Sequence, residues 1–205
     1  MRKLLIIGIL LLGLFSLAKA QDPGVPRNVS FTTILEPLLQ LNVEPNIEVE
    51  FGIMEINDDL YHVTKYPDDV MFSVEATTNW NLSINTNSKD FSGVNNPSLK
   101  IPVEFVGYYV ENYGTNWDNG SFSNIINSTK DTIAELSVDK KQILRNGRRN
   151  NIGSAERNSF ILRWKLIPEN DALKLKNYAH MFLQNEQFKV NVQLTLQQTL
   201  CTNCE

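Results

Sequence analysis

Cysteine, histidine and paired carboxylates are the residues through which a chain most directly declares chemistry, and here they are few. There are two Cys and two His in 205 residues. Cys201-Thr202-Asn203-Cys204 places two thiols at the spacing of a redox pair, half a zinc site or a small disulfide loop. A redox thiol needs a helix N-terminus to lower its pKa, and only Glu205 follows in this sequence. A zinc site would need further ligands from His62, His180 or a second chain. The expectation is a disulfide between Cys201 and Cys204, as suits an exported chain, with no metal and no cofactor. Asp58-Asp59, Asp68-Asp69 and Asp118-Asn119-Gly120 do not fit the spacing of a calcium loop. Adjacent carboxylates on a turn point apart and do not frame a hydrolytic cleft. There is no G-x-S-x-G elbow and no H-E-x-x-H helix. No catalytic residue is predicted, and the chain reads as a non-enzyme.

Two groups of residues suit binding instead. Tyr108, Tyr109, Tyr113 and Trp117 cluster beside Asn112, Asn116 and Asn119. Aromatic rings flanked by amides can stack on sugars and hydrogen-bond their hydroxyls; the alternative is core or cross-strand packing. Lys140, Lys141, Arg145, Arg148, Arg149 and Arg157 surround Asn146-Gly147 and Asn150-Asn151. This stretch predicts an exposed hairpin loop or pair of loops, either a solvated tip or a contact for an anionic polymer or acidic partner.

The elements that must carry these residues begin after an export signal. Met1-Arg2-Lys3 is cationic, Leu4–Leu17 is nearly all apolar, and Ala18-Lys19-Ala20 ends in a cleavage pattern. The apolar run is shorter than the ~20 residues that span a bilayer. Residues 1–20 are thus expected to be a signal peptide and 21–28 a flexible leader. Arg2, Lys3 and Lys19 leave with the signal, three cations and no acid, so the net charge of −4 becomes −7. An exported chain this acidic excludes a nucleic-acid partner, and no integral membrane span is expected after cleavage.

Apolar residues alternate with polar ones at Ile47–Ile53, Val70–Ala76, Trp80–Ile84, Phe160–Leu166 and Phe188–Leu196. Period two marks strands with one buried face. Weaker strands are expected at Ser30–Leu35, Leu38–Val43, Leu99–Val110 and Thr132–Val138. Turns are expected at Glu44-Pro45-Asn46, Tyr66-Pro67-Asp68-Asp69, Asn95-Asn96-Pro97, Asp118-Asn119-Gly120 and Arg145-Asn146-Gly147. One short helix is expected near 171–183. About nine strands so spaced predict an all-β antiparallel sandwich over residues 29–205, immunoglobulin-like or pilin-like.

Two strands carry W-x-L, as Trp80-Asn81-Leu82 and Trp164-Lys165-Leu166. In this the chain resembles the WxL-type surface β-sandwich domains of bacteria. That resemblance implies a non-enzymatic domain held on the cell surface or in a surface complex. The function expected is an exported structural or binding subunit of an envelope or surface assembly, an adhesin or fibre accessory, in the periplasm or outside the cell. Its partner is a protein or a glycan, and the alternative is a carbohydrate-binding module. The segment Phe188–Leu196 is expected either to close this domain or to complete a partner's sheet.

Overall fold

The alternating segments become strands because burying one face of each removes the apolar side chains from water while the ladder satisfies the backbone. In the computed structural model, residues 37–57, 60–114, 120, 122–166, 178 and 186–199 are described. Among the described residues, thirteen strands run in chain order: β1 (Leu39–Asn42), β2 (Ile47–Asn57), β3 (Leu60–Lys65), β4 (Val70–Ala76), β5 (Trp80–Thr86), β6 (Asp90–Gly93), β7 (Lys100–Pro102), β8 (Val106–Asn112), β9 (Ser123–Ile125), β10 (Ala134–Glu135), β11 (Lys141–Asn146), β12 (Ser159–Leu166) and β13 (Gln187–Gln198). The expected signal peptide, leader and Ser30–Leu35 strand lie outside the described residues. So do the 171–183 helix apart from Tyr178, and Trp117, Cys201 and Cys204.

The architecture is all-β and antiparallel. One sheet has the order β1-β4-β12-β8-β10; the other runs β3-β2-β13-β5-β11-β9, with β6 on β13 and β7 on β6. The inward faces meet in one core. Trp80 of β5 meets Phe160 of β12 edge-on at 6.4 Å, and Phe160 stacks on Phe72 of β4 at 5.4 Å. Towards the other end Phe51 of β2 packs on Phe91 of β6 and Phe188 of β13. Each strong period-two segment is a strand, and β5 alternates buried and half-buried residues along its whole length.

Three expectations change in detail. Leu99–Val110 is not one strand: β7 belongs to one sheet and β8 to the other, and a 3-10 turn at Val103–Phe105 carries the chain between them. Pro102, which lacks an N–H, sits at that corner, where a ladder donor is not needed. Thr132–Val138 contracts to the two-residue β10, with Leu136 buried beyond it. The basic stretch is not wholly a loop. Lys141–Asn146 form β11, paired with β5 on one side and β9 on the other, and bury Ile143 and Leu144.

Candidate functional site

β8 and β12 decide the fate of the aromatic cluster, because neighbours on a strand face opposite ways. Tyr108 points inward at 1% exposure, and burial pushes its phenol up to about 12. It is a core residue, which corrects its assignment to a ligand surface. Tyr109 points outward, opposite Arg163 in the β8–β12 register. Arg163 bridges two carboxylates, Glu111 and Asp69, and the hydrogen bond to Glu111 is the main reason its pKa is raised. Partial burial, with Glu111 next, raises Tyr109 as well. Tyr113 stands 62% exposed beyond the end of β8. The three described tyrosines of the sequence cluster are therefore divided among the core, an outer sheet face and a strand end.

The W-x-L tryptophans lie in opposite sheets. Trp80 and Leu82 are wholly buried on β5. Asn151 receives the Trp80 amide N–H on its Oδ1 at 3.1 Å and donates its Nδ2 to the Trp80 carbonyl at 2.9 Å. The indole N–H donates to the Asn151 carbonyl at 3.0 Å. Asn151 thus stands in for a neighbouring strand at the start of β5. On β12, Trp164 is half-buried and donates its indole N–H to the Asp68 carbonyl at 2.8 Å, while Leu166 is buried. These residues build the sandwich. Of the predicted basic residues, Lys140, Lys141, Arg145, Arg148 and Arg149 are all exposed.

Among the described residues, the acids and histidines do not gather into a site. Asp69 is taken by Arg163, and His62 lies on β3. Among the described residues no group of three or more His, Cys, Asp or Glu could hold a metal ion, and no helix is long and apolar enough to cross a membrane.

A feature that the sequence motifs do not mark lies along one seam of the sandwich. β13 is central: β2 pairs with it from Gln187 to Val192 on one side, and β6 and then β5 pair with it on the other as far as Gln198. Past Val192, no strand among the described residues takes the β2 side. The carbonyl of Asn191 accepts the Asn87 N–H, and the Thr199 N–H donates to Asn79, both on the β5 side. By alternation, the N–H and C=O groups of Leu194, Leu196 and Gln198 face the other way. There β1 is the edge of the facing sheet. Leu39, Leu41, Val43, Leu194 and Leu196 line the seam half-buried, although Ile84 and Leu82, opposite the last two, are fully covered. A groove of about 270 Å³ opens there between Val43–Ile47 and Val192–Thr195.

No protein-family model matches this chain, and no curated protein matches it. Its function must be argued from its own residues. Period two announces Leu194 and Leu196 as inward-facing; that β2 leaves β13 at Val192 depends on long-range pairing, which a local pattern does not carry.

Proposed function

We propose that the protein is an exported, non-catalytic subunit of a cell-envelope or cell-surface assembly that accepts an extended segment of a protein partner along the β13 seam. The observation that supports this is the half-edge of β13. It combines backbone groups aimed away from β5, half-buried Leu194 and Leu196 beside them, and a groove in front. Strand addition uses such an edge for affinity and alternate side-chain pockets for specificity. The same observation turns the donated-strand alternative around. As far as Val192, β13 is paired on both sides within its own chain, so the reading is that this domain keeps β13 and offers the remaining edge as an acceptor.

The test is site-specific cross-linking from Gln197, which is exposed, carried out on intact cells. Cross-links to one partner protein, lost in Leu196→Pro and in Leu194→Lys variants that still melt cooperatively, are expected. Proline removes an N–H that the β5 ladder does not use, so folding should survive while strand addition does not. Cross-links confined to the protein's own chain, or partner cross-links indifferent to both substitutions, overturn the proposal.

A further inference from the structure

The arginine-bearing loops are built more carefully than a solvated tip requires. Phe122 immediately precedes β9, and its carbonyl accepts the Gly147 N–H at 3.0 Å; the Gly120 carbonyl accepts the Arg148 N–H at 2.8 Å. The β9–β11 ladder thus continues into the loop and fixes where Arg148 and Arg149 leave it. Two guanidiniums share the Phe122 ring: that of Arg157 lies 3.6 Å from the ring centroid and that of Arg149 5.7 Å. Both are within cation–π range.

Arg157 is positioned from several directions. Its Nη2 donates to the Asn150 carbonyl at 3.3 Å, and its Nε has no hydrogen-bond partner. A Cβ at Gly153 would come within 3.0 Å of its Cδ, and any Cβ at Gly114 would collide with its carbonyl oxygen. Two residues without side chains therefore make room for it. Partial burial, and then the neighbouring Arg149 charge, lower its pKa. Like charges held on one ring repel, and no ion pair among the described residues joins Arg145, Arg148, Arg149 or Arg157 to a carboxylate. An anion bound between the two guanidiniums would relieve that repulsion.

The surroundings select the kind of anion. Residues 140–157 hold six of the 19 Lys and Arg and one of the 23 Asp and Glu. Four of the six are arginines, whose planar forks match flat oxyanions in pairs of hydrogen bonds. No exposed large hydrophobic residue lies between Asp139 and Arg157, so the patch lacks the apolar centre of a protein interface. It has an exposed aromatic neighbour instead. The Tyr113 N–H donates to the Ser159 carbonyl at 2.8 Å and Gly114 packs on Arg157, which brings the open Tyr113 ring to the same end of the molecule.

We propose that Arg149 and Arg157 on Phe122 form the anion-binding centre of a site for an acidic polysaccharide, with Tyr113 offering its ring to a sugar face. The group bound is an oxyanion on the sugar, a uronate carboxylate or a sulfate ester. This site is separate from the β13 seam and does not depend on the partner proposed there.

Affinity electrophoresis and calorimetry of the mature protein with polygalacturonate, dextran sulfate, neutral dextran and poly-glutamate test it. Retention by polygalacturonate or dextran sulfate is expected at low salt, weakening as salt rises, with none by neutral dextran. Whichever acidic glycan binds identifies the oxyanion. Arg149→Gln and Arg157→Lys should each weaken that binding about tenfold. The Lys variant keeps the charge and removes the fork. Lys130→Gln, an exposed control, should have little effect, and Tyr113→Ala should weaken glycan binding at constant charge. Should Arg157→Lys impair folding, Arg149→Gln still decides, because Arg149 is exposed. Failure to bind either acidic glycan, poly-glutamate binding as tightly as they do, or Arg149→Gln costing no more than Lys130→Gln overturns the site. None of these results bears on cross-linking from Gln197.

Discussion

Two buried polar residues show how far single side chains support this fold. Asn151 satisfies both backbone groups of Trp80 where no strand does. Asn151→Ala should destabilise the protein by about 3 kcal/mol, because two buried groups lose partners that water cannot replace; chemical denaturation measures it. Asn151→Asp should cost a comparable amount at neutral pH, since a second carboxylate oxygen would face the Trp80 carbonyl. Tyr108 supplies a pH dependence. Its phenol is held neutral up to about 12 in the folded state, against 10.0 for the free side chain, because burial disfavours the phenolate. Its contribution is intact below pH 10 and is lost as pH rises through the folded value, a change of about 3 kcal/mol. Tyr108→Phe should flatten the alkaline unfolding curve relative to wild type over that window, and an unchanged slope would count against the assignment. Neither role is legible in the sequence. Asn151 is one of 24 asparagines, and Tyr108 differs from Tyr109 only in strand phase.

Legibility at the scale of elements follows the same physics. β4, β5, β12 and β13 were predictable because each is seven or more residues long and turns alternate apolar side chains towards the core. β6 and β9 are three or four residues long, too short for a period to emerge. β11 hides for another reason. A register shift between Gln142 and Leu144 sets Ile143 and Leu144 side by side in the core, which breaks the alternation while charges flank it. What no local pattern could show is which β13 edge has a neighbour. That edge makes a residue-by-residue prediction for amide exchange. In the isolated protein Gln193, Thr195 and Gln197, bonded towards β5, should exchange slowly, whereas Leu194, Leu196 and Gln198 should exchange fast. Partner addition should slow the second set. Equal protection of both sets in the free protein would mean that the edge is already taken and would remove the basis of the acceptor proposal.

For the molecule as a whole, β13 is the piece on which the second sheet depends, and it follows the other described strands in chain order. Gln187 pairs with Gly52, and Gln198 with Trp80, so one strand joins β2 and β5 across more than a hundred residues and also holds β6. Closing loops that long precedes any return from burial, which makes folding slow and leaves a chain without β13 with an open sheet. Phe188, Val190 and Val192 would also leave the core, taking their contacts with Phe51, Val49 and Ile47. A protein truncated before Gln187 should therefore show no cooperative thermal transition and should expose apolar surface that binds a hydrophobic dye. Had β13 been a strand lent to a neighbour, the truncated protein would keep its near-ultraviolet circular dichroism and melt sharply while failing only to assemble. Adding back a peptide covering residues 187–199 separates the cases further. A peptide that restores the transition shows that the strand supplies this domain's own fold, and a sharp melt without it would require a different role for β13.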